Sequence, residues 1–189
     1  MNISLIISAI LPVIVFLSFI YRKDSEKEPK KLLAKCFLLG ALSIIPVFLI
    51  ELFLDSYSNS INSPLLHSLY RAFIVAALVE EGTKFFFLKK VTWRNKAFNQ
   101  SYDGIVYAVF VSLGFAMVEN IMYVSEHGFV VSIFRGLLSV PGHGLFGIMM
   151  GYFYALARFS NDYKRKIYLI LSFFVPFLFH GTFNFLLMY

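Results

Sequence analysis

Three ionisable side chains stand within one turn of each other in an otherwise apolar stretch, Ala77 to Lys89, written ALVEEGTKFFFLK. Glu80 and Lys84 are four residues apart and Glu81 and Lys84 three, so on a helix the ammonium reaches either carboxylate from within the same segment. Charge inside a membrane helix is costly enough that each such group stands for a function or a named partner. One lysine does not fully compensate two buried carboxylates, which leaves a poised pair of acid and base. Other polar groups in apolar surroundings are Glu119 and Asn120, His143 within Pro141-Gly142-His143-Gly144, and His180 with Asn184 one turn further along the same face. No serine or cysteine nucleophile directly adjoins His143 or His180.

Activation of water is the chemistry that suits this set. A buried carboxylate deprotonates water for attack on a carbonyl and passes the proton to a leaving amine. His180 and Asn184 can donate hydrogen bonds to the developing oxyanion. The chain has no HExxH and no compact ligand spacing, so the expected reaction needs no metal or other cofactor. Zinc would have to be assembled from scattered His143, His180 and Glu119. Each group also has a structural reading. Glu80 and Glu81 can pair with Lys84 or Arg71 to fix packing, Glu119 can pair with Arg135, and His143 can simply accommodate the break at Pro141. Arg71, Glu51 and Arg135 read as structural or interfacial.

The elements that would position these groups are membrane helices. Of 189 residues, 59% are hydrophobic, and the mean hydropathy of +0.73 lies far outside the range of soluble domains. The expected fold is all-α, a polytopic bundle of six spans forming a single domain over residues 1–189 and facing the lipid bilayer. The lone Cys36 excludes an internal disulfide. The net charge of +6 does not signal nucleic acid, because 14 of the 17 Lys and Arg fall in three connecting segments: Arg22 to Lys35, Lys89 to Lys96 and Arg158 to Lys166. Basic connections mark the cytoplasmic side, and the intervening polar loops around 56–63 and 125–128 carry no Lys or Arg. Spans are expected at 3–21, 32–54, 65–88, 103–124, 129–158 and 167–189, with both termini outside.

The first span has no basic residue before it and no small-residue cleavage site, so it reads as retained. Pro46 is expected to kink the second span, Asp103 to cap the fourth, and Pro141-Gly142 to break the fifth. At a rise of about 1.5 Å per residue, Glu80 lies about 20 Å inward from Trp93, and Glu119, His143 and His180 lie roughly 21 to 23 Å inward from Gly104, Arg158 and Lys166 respectively. The polar groups therefore share one depth, provided the third helix runs on to Trp93.

The order and spacing of EEGTK at Glu80 to Lys84, FAMVEN at Phe115 to Asn120, PGHG at Pro141 to Gly144 and HGTFN at His180 to Asn184 resemble the PrsW family of bacterial intramembrane proteases. KDSEKEP after the first span and YDGIVYA at the fourth extend the resemblance over nearly the whole chain. The family is distantly similar to the type II CAAX prenyl endopeptidases and the Abi group, with motifs EExxxR, FxxxH and HxxxN. By that similarity Glu80 and Glu81 match the pair that supplies the water-activating base, and His180 and Asn184 the oxyanion donors. Lys84 stands one position before the wider group's arginine, and Glu119 replaces its histidine, which favours a glutamic-type reaction. The resemblance implies a multi-pass protein of the bacterial cell membrane. The implied substrate is a single-span membrane protein, typically an anti-sigma factor cut outside the cytoplasm in a stress response, with no nucleic acid involved. A CAAX-like protease or bacteriocin-resistance protein is the nearest alternative. A proton-coupled transporter fits less well, because the chain has no repeat symmetry.

Overall fold

The computed structural model describes residues 3–189, apart from the side chain of Ser132; Met1 and Asn2, which begin the expected single domain, lie outside the described residues. The described chain is built from helices, with no strand among the described residues. They are α1 (Ile3–Lys23), α2 (Lys30–Leu42), α3 (Ile44–Asp55), α4 (Pro64–Leu69), α5 (Leu78–Thr92), α6 (Ser101–His127), α7 (Phe129–Phe134), α8 (Val140–Arg158) and α9 (Asp162–Met188). A π-helical stretch, Tyr70–Ala77, joins α4 to α5, and another, Arg135–Ser139, joins α7 to α8. The nine helices thus stack end to end into six rods.

Five of the rods are long and apolar enough to cross a membrane. The sixth, α4 through α5, coincides with the expected third span. It differs from the others by charge and not by length, since it carries Arg71, Glu80, Glu81 and Lys84. The centre of the bundle is α6: 61% of its apolar window is buried, against 17–24% in the other four. Helices α1, α2, α5 and α8 pack around it. The α2–α6 crossing is a backbone contact. A Cβ on Gly40 would fall 2.0 Å from the Val111 carbonyl oxygen, and one on Gly114 would fall 2.1 Å from that of Phe37. Small residues permit such close approach where lipid offers no hydrophobic drive for helix association.

Several expected helix features are placed differently. The second span breaks at Ser43, one turn before Pro46. Proline at 46 has no N–H for the Leu42 carbonyl and crowds it, so the disturbance falls a turn upstream. Ser43 bridges the gap, its Oγ donating to the Gly40 carbonyl at 2.6 Å. The fifth span likewise widens into a π stretch before Pro141, and His143 sits on regular α8. Asp103 is not the cap of α6. Gln100 is, and Asp103 at the third helical position accepts the backbone N–H of Asn99 at 2.9 Å and of Gln100 at 2.7 Å, completing a capping box. The 125–127 segment continues α6, which stops at Gly128, the residue with φ +82°.

Two anchors fix the depth of the charged segment. Helix α5 continues to Thr92, as the shared-depth expectation requires. There the Thr92 hydroxyl donates to the Leu88 carbonyl at 2.7 Å and meets the Tyr154 hydroxyl at 2.9 Å, tying α5 to α8. Phe98 stacks on Tyr154 with centroids 5.5 Å apart, and Arg158 lies over Trp93 and Phe98.

The α1–α2 connection carries a buried acid. Lys27 closes the end of α1 by donating to the carbonyls of Tyr21 at 2.7 Å, Arg22 at 3.2 Å and Asp24. Next to it Glu28 is buried and accepts the Tyr107 hydroxyl. Burial pushes the Glu28 carboxyl up to about 7; the Tyr107 bond opposes this, and the Asp103 charge adds to it. Because the folded chain then binds this proton more tightly than the unfolded chain, stability is greatest below the ordinary value of 4.5 and falls as pH rises to about 7. In detergent, the thermal midpoint is expected to drop between pH 5 and 7 and then level off. Glu28→Gln should flatten that slope, and an unaltered slope would assign it to other groups.

Candidate active site

Lys84 lies at the centre of a buried polar network drawn from four rods. Its Nζ donates to Glu80 Oε2 at 3.0 Å, to Glu81 Oε1 at 2.8 Å and to His143 Nδ1 at 3.2 Å, and it lies 4.3 Å from the centroid of the Phe115 ring. All three ammonium hydrogens are used. The side chains of Lys84 and Glu81 are fully buried. On the far side of His143, Nε2 lies 3.0 Å from Glu119 Oε2, which also accepts Arg135 at 2.6 Å. Since Nδ1 accepts from Lys84, Nε2 carries the imidazole proton and donates it to Glu119. The His143 backbone is held in turn, its carbonyl accepting the Ser112 hydroxyl at 2.7 Å.

His180 approaches from α9. Its Nδ1 donates to Glu81 Oε1 at 2.9 Å, and Nε2 is left as an acceptor for the Asn184 amide at 3.1 Å. In this tautomer His180 has no free N–H, whereas Asn184 keeps one. The Phe146 ring stacks on His180, with centroids 4.9 Å apart and planes at 17°. Nothing in the residue spacing pointed to Phe146, which lies on α8.

A cavity of about 700 Å³ adjoins this network. Glu80, Glu119, His143, His180 and Asn184 line it, and Glu81 does not. Adjacent residues on a helix point about 100° apart, so one carboxylate of the pair faces the cavity and the other faces the protein. Asn120 stands behind the cavity wall. It donates to the Ala9 carbonyl at 2.8 Å and accepts Arg135 Nε at 3.1 Å, so it positions Arg135 and touches neither Glu80 nor Glu81. Arg71 pairs with Asp55 at 2.8 Å and leaves the glutamate pair to Lys84. Arg135, read from the sequence as structural, is the cation beside Glu119. Its distance of 16 residues from Glu119 carries no periodic signal.

Carboxylates and imidazoles drawn from apolar helices to one buried network, beside a cavity of about 700 Å³, are the kind of site a membrane-embedded hydrolase requires. Residues 28–189 match the family described as PrsW family intramembrane metalloprotease. The chain is 40% identical to Protease PrsW of Oceanobacillus iheyensis, over 97% of this chain and 83% of the relative. It is 37% identical to Protease PrsW of Bacillus subtilis, over 97% and 83%, and 36% identical to that of Clostridioides difficile, over 100% and 81%. No solved structure matches it significantly. The chain belongs to the PrsW family of intramembrane proteases and is a multi-pass membrane protein of bacteria.

The family description implies a metal ion, and the donor set fits one. Glu80, Glu81, His143 and His180 each offer one ligand atom within 4.8 Å of the others. Glu81 Oε2 is buried with no hydrogen-bond partner among the described residues. Glu119 holds the outer nitrogen of His143, as partners of metal-bound imidazoles do. Glu119, expected from the sequence as a ligand of any such ion, is outside this group. The Lys84 ammonium competes for three of the four residues.

Proposed function

We propose that this chain hydrolyses a peptide bond of a single-span membrane protein, an anti-sigma factor cut on its extracytoplasmic side in a stress response, with Glu80 as the base that activates water. The observation that supports this role is the division of the glutamate pair: Glu80 lines the cavity, while Glu81 is buried beneath it and bound to Lys84 and His180. Water held by Glu80 Oε1 gives up a proton as it attacks the scissile carbonyl, and Glu80 returns that proton to the leaving amine. The remaining Asn184 N–H donates to the oxyanion, with its amide oriented by His180. His143 and Glu119 hold the Lys84 ammonium in place from the opposite side.

The glutamic, metal-independent reading rests on Lys84, whose ammonium already supplies positive charge between the two carboxylates. A second reading is favoured by the four-donor group and the partnerless Glu81 Oε2. A divalent ion held by Glu80, Glu81, His143 and His180 would supply Lewis-acid polarisation. The test is cleavage of a single-span anti-sigma protein by the purified chain in liposomes, together with the metal content of the same preparation. Cleavage is expected to survive a strong chelator, with metal well below one equivalent. Stoichiometric metal, and activity lost to chelator and restored by zinc, would replace this reading by the second.

A further inference from the structure

The carboxylates of the cavity are unequally provided with partners. Five line it, Glu51, Asp55, Glu80, Glu119 and Glu126, against the two arginines Arg71 and Arg135. Asp55 is paired with Arg71 at 2.8 Å, Glu119 with Arg135 at 2.6 Å, and Glu80 with Lys84 at 3.0 Å. Glu126 is exposed near the end of α6, 4.0 Å from His127. That leaves Glu51, half-buried in the middle of α3, with no hydrogen bond or ion pair among the described residues. Its surroundings on α3 are apolar, with Phe48 and Leu52 lining the same cavity and Leu49, Ile50 and Phe53 exposed. A carboxylate so placed is costly to keep without a cation. The cations on the neighbouring walls are committed elsewhere, so Glu51 is left either to hold a proton or to receive a cation brought by whatever enters.

We propose that Glu51 is a specificity-determining residue, which receives a lysine or arginine side chain of the substrate and so selects where the unwound span is presented to Glu80. This rests on the reading of the cavity as a protease site. The cavity suits such a guest: Phe48 and Leu52 on α3, with Phe134 and Leu138 elsewhere in its lining, offer apolar surface for the methylene stem, and Glu51 takes the charged head. Glu51 touches no reacting atom in this scheme. It acts on capture and register, so its removal is expected in KM more than in kcat.

The test uses the full chain in liposomes and a set of single-span peptides that differ only in carrying Lys or Gln at successive positions around the cleaved bond. Wild type is expected to favour Lys at one position by about tenfold or more in kcat/KM, the scale of a charge-assisted hydrogen bond. Glu51→Gln should bring that ratio close to one, and Glu51→Lys should turn the preference toward a Glu-bearing peptide. The same ratio is read as binding, by fluorescence anisotropy, on the cleavage-impaired Glu80→Gln chain. That separates the two proposals, since a Lys preference in binding without cleavage by wild type would sink the protease reading and keep the role of Glu51. Equal binding of Lys and Gln peptides, or a Lys preference that persists in Glu51→Gln, overturns the assignment. Loss of cleavage of every peptide in Glu51→Gln, with binding intact, would instead make it part of the proton path and also overturns it.

Discussion

Glu80→Gln is expected to lower kcat for cleavage of a reconstituted single-span substrate by about 10²–10⁴-fold, with KM little changed. The amide matches the carboxylate in size and still accepts from Lys84, so the network around it is conserved while its proton-accepting capacity is lost. A thousandfold loss corresponds to about 4 kcal/mol of transition-state stabilisation, within what one general base supplies. Glu81→Gln is the informative contrast. Glu81 does not line the cavity, and its Oε1 accepts both Lys84 at 2.8 Å and His180 at 2.9 Å. Its loss should therefore reach activity through displaced neighbours and lowered stability together. Initial rates in liposomes decide the matter, alongside monodisperse elution to show that the variant is folded. If Glu80→Gln kept more than a tenth of wild-type kcat while Glu81→Gln lost nearly all of it in a stable protein, the base would be Glu81.

Lys84→Met is expected to destabilise the bundle by about 3–5 kcal/mol, the cost of removing one partner from a buried ion pair. Three contacts disappear together, to Glu80, Glu81 and His143, and two carboxylates remain with their shared cation gone. Methionine fills the space of the lysine stem, so the loss measures charge more than volume. Unfolding in mixed micelles with increasing SDS reads it directly. The double variant Lys84→Met with Glu81→Gln should recover part of the loss, because it removes the charge the ammonium had balanced. Wild-type stability in Lys84→Met would mean that another cation balances the pair, and a divalent ion on Glu80, Glu81, His143 and His180 would then be the first to seek.

The depth of the polar groups could be read from the residues because helical rise depends on local geometry alone. Basic segments set the ends and a constant rise per residue carries each site residue inward, and α5 running to Thr92 meets the one condition this required. Helix interruptions were legible in kind but displaced by a turn. A proline declares itself in the sequence at 46 and 141, while the carbonyl it leaves without a donor lies four residues earlier, where Ser43 and the π stretch Arg135–Ser139 absorb the defect. Asp103 shows the same limit at a helix start: its side chain reaches back to Asn99 and Gln100, so the capping residue is Gln100.

Partnerships between rods were a different matter. That Lys84 meets His143 and that His180 meets Glu81 depend on how each rod is rotated about its axis, whereas the pairing of Glu119 with Arg135 was among the readings the residues offered. That rotation follows from long-range packing, such as the glycine contact of α2 with α6, and from the π stretch Tyr70–Ala77, which alters the turn count between Arg71 and Glu80. Residue types and spacing were thus enough to establish a helical membrane bundle and to indicate a common depth for the carboxylates and imidazoles that the structure brings together. Which glutamate faces the cavity, and which carboxylate there lacks a partner, followed only from the assembled bundle. A rotation of about 100° separates Glu80 from Glu81, and no local property of either residue distinguishes the two orientations.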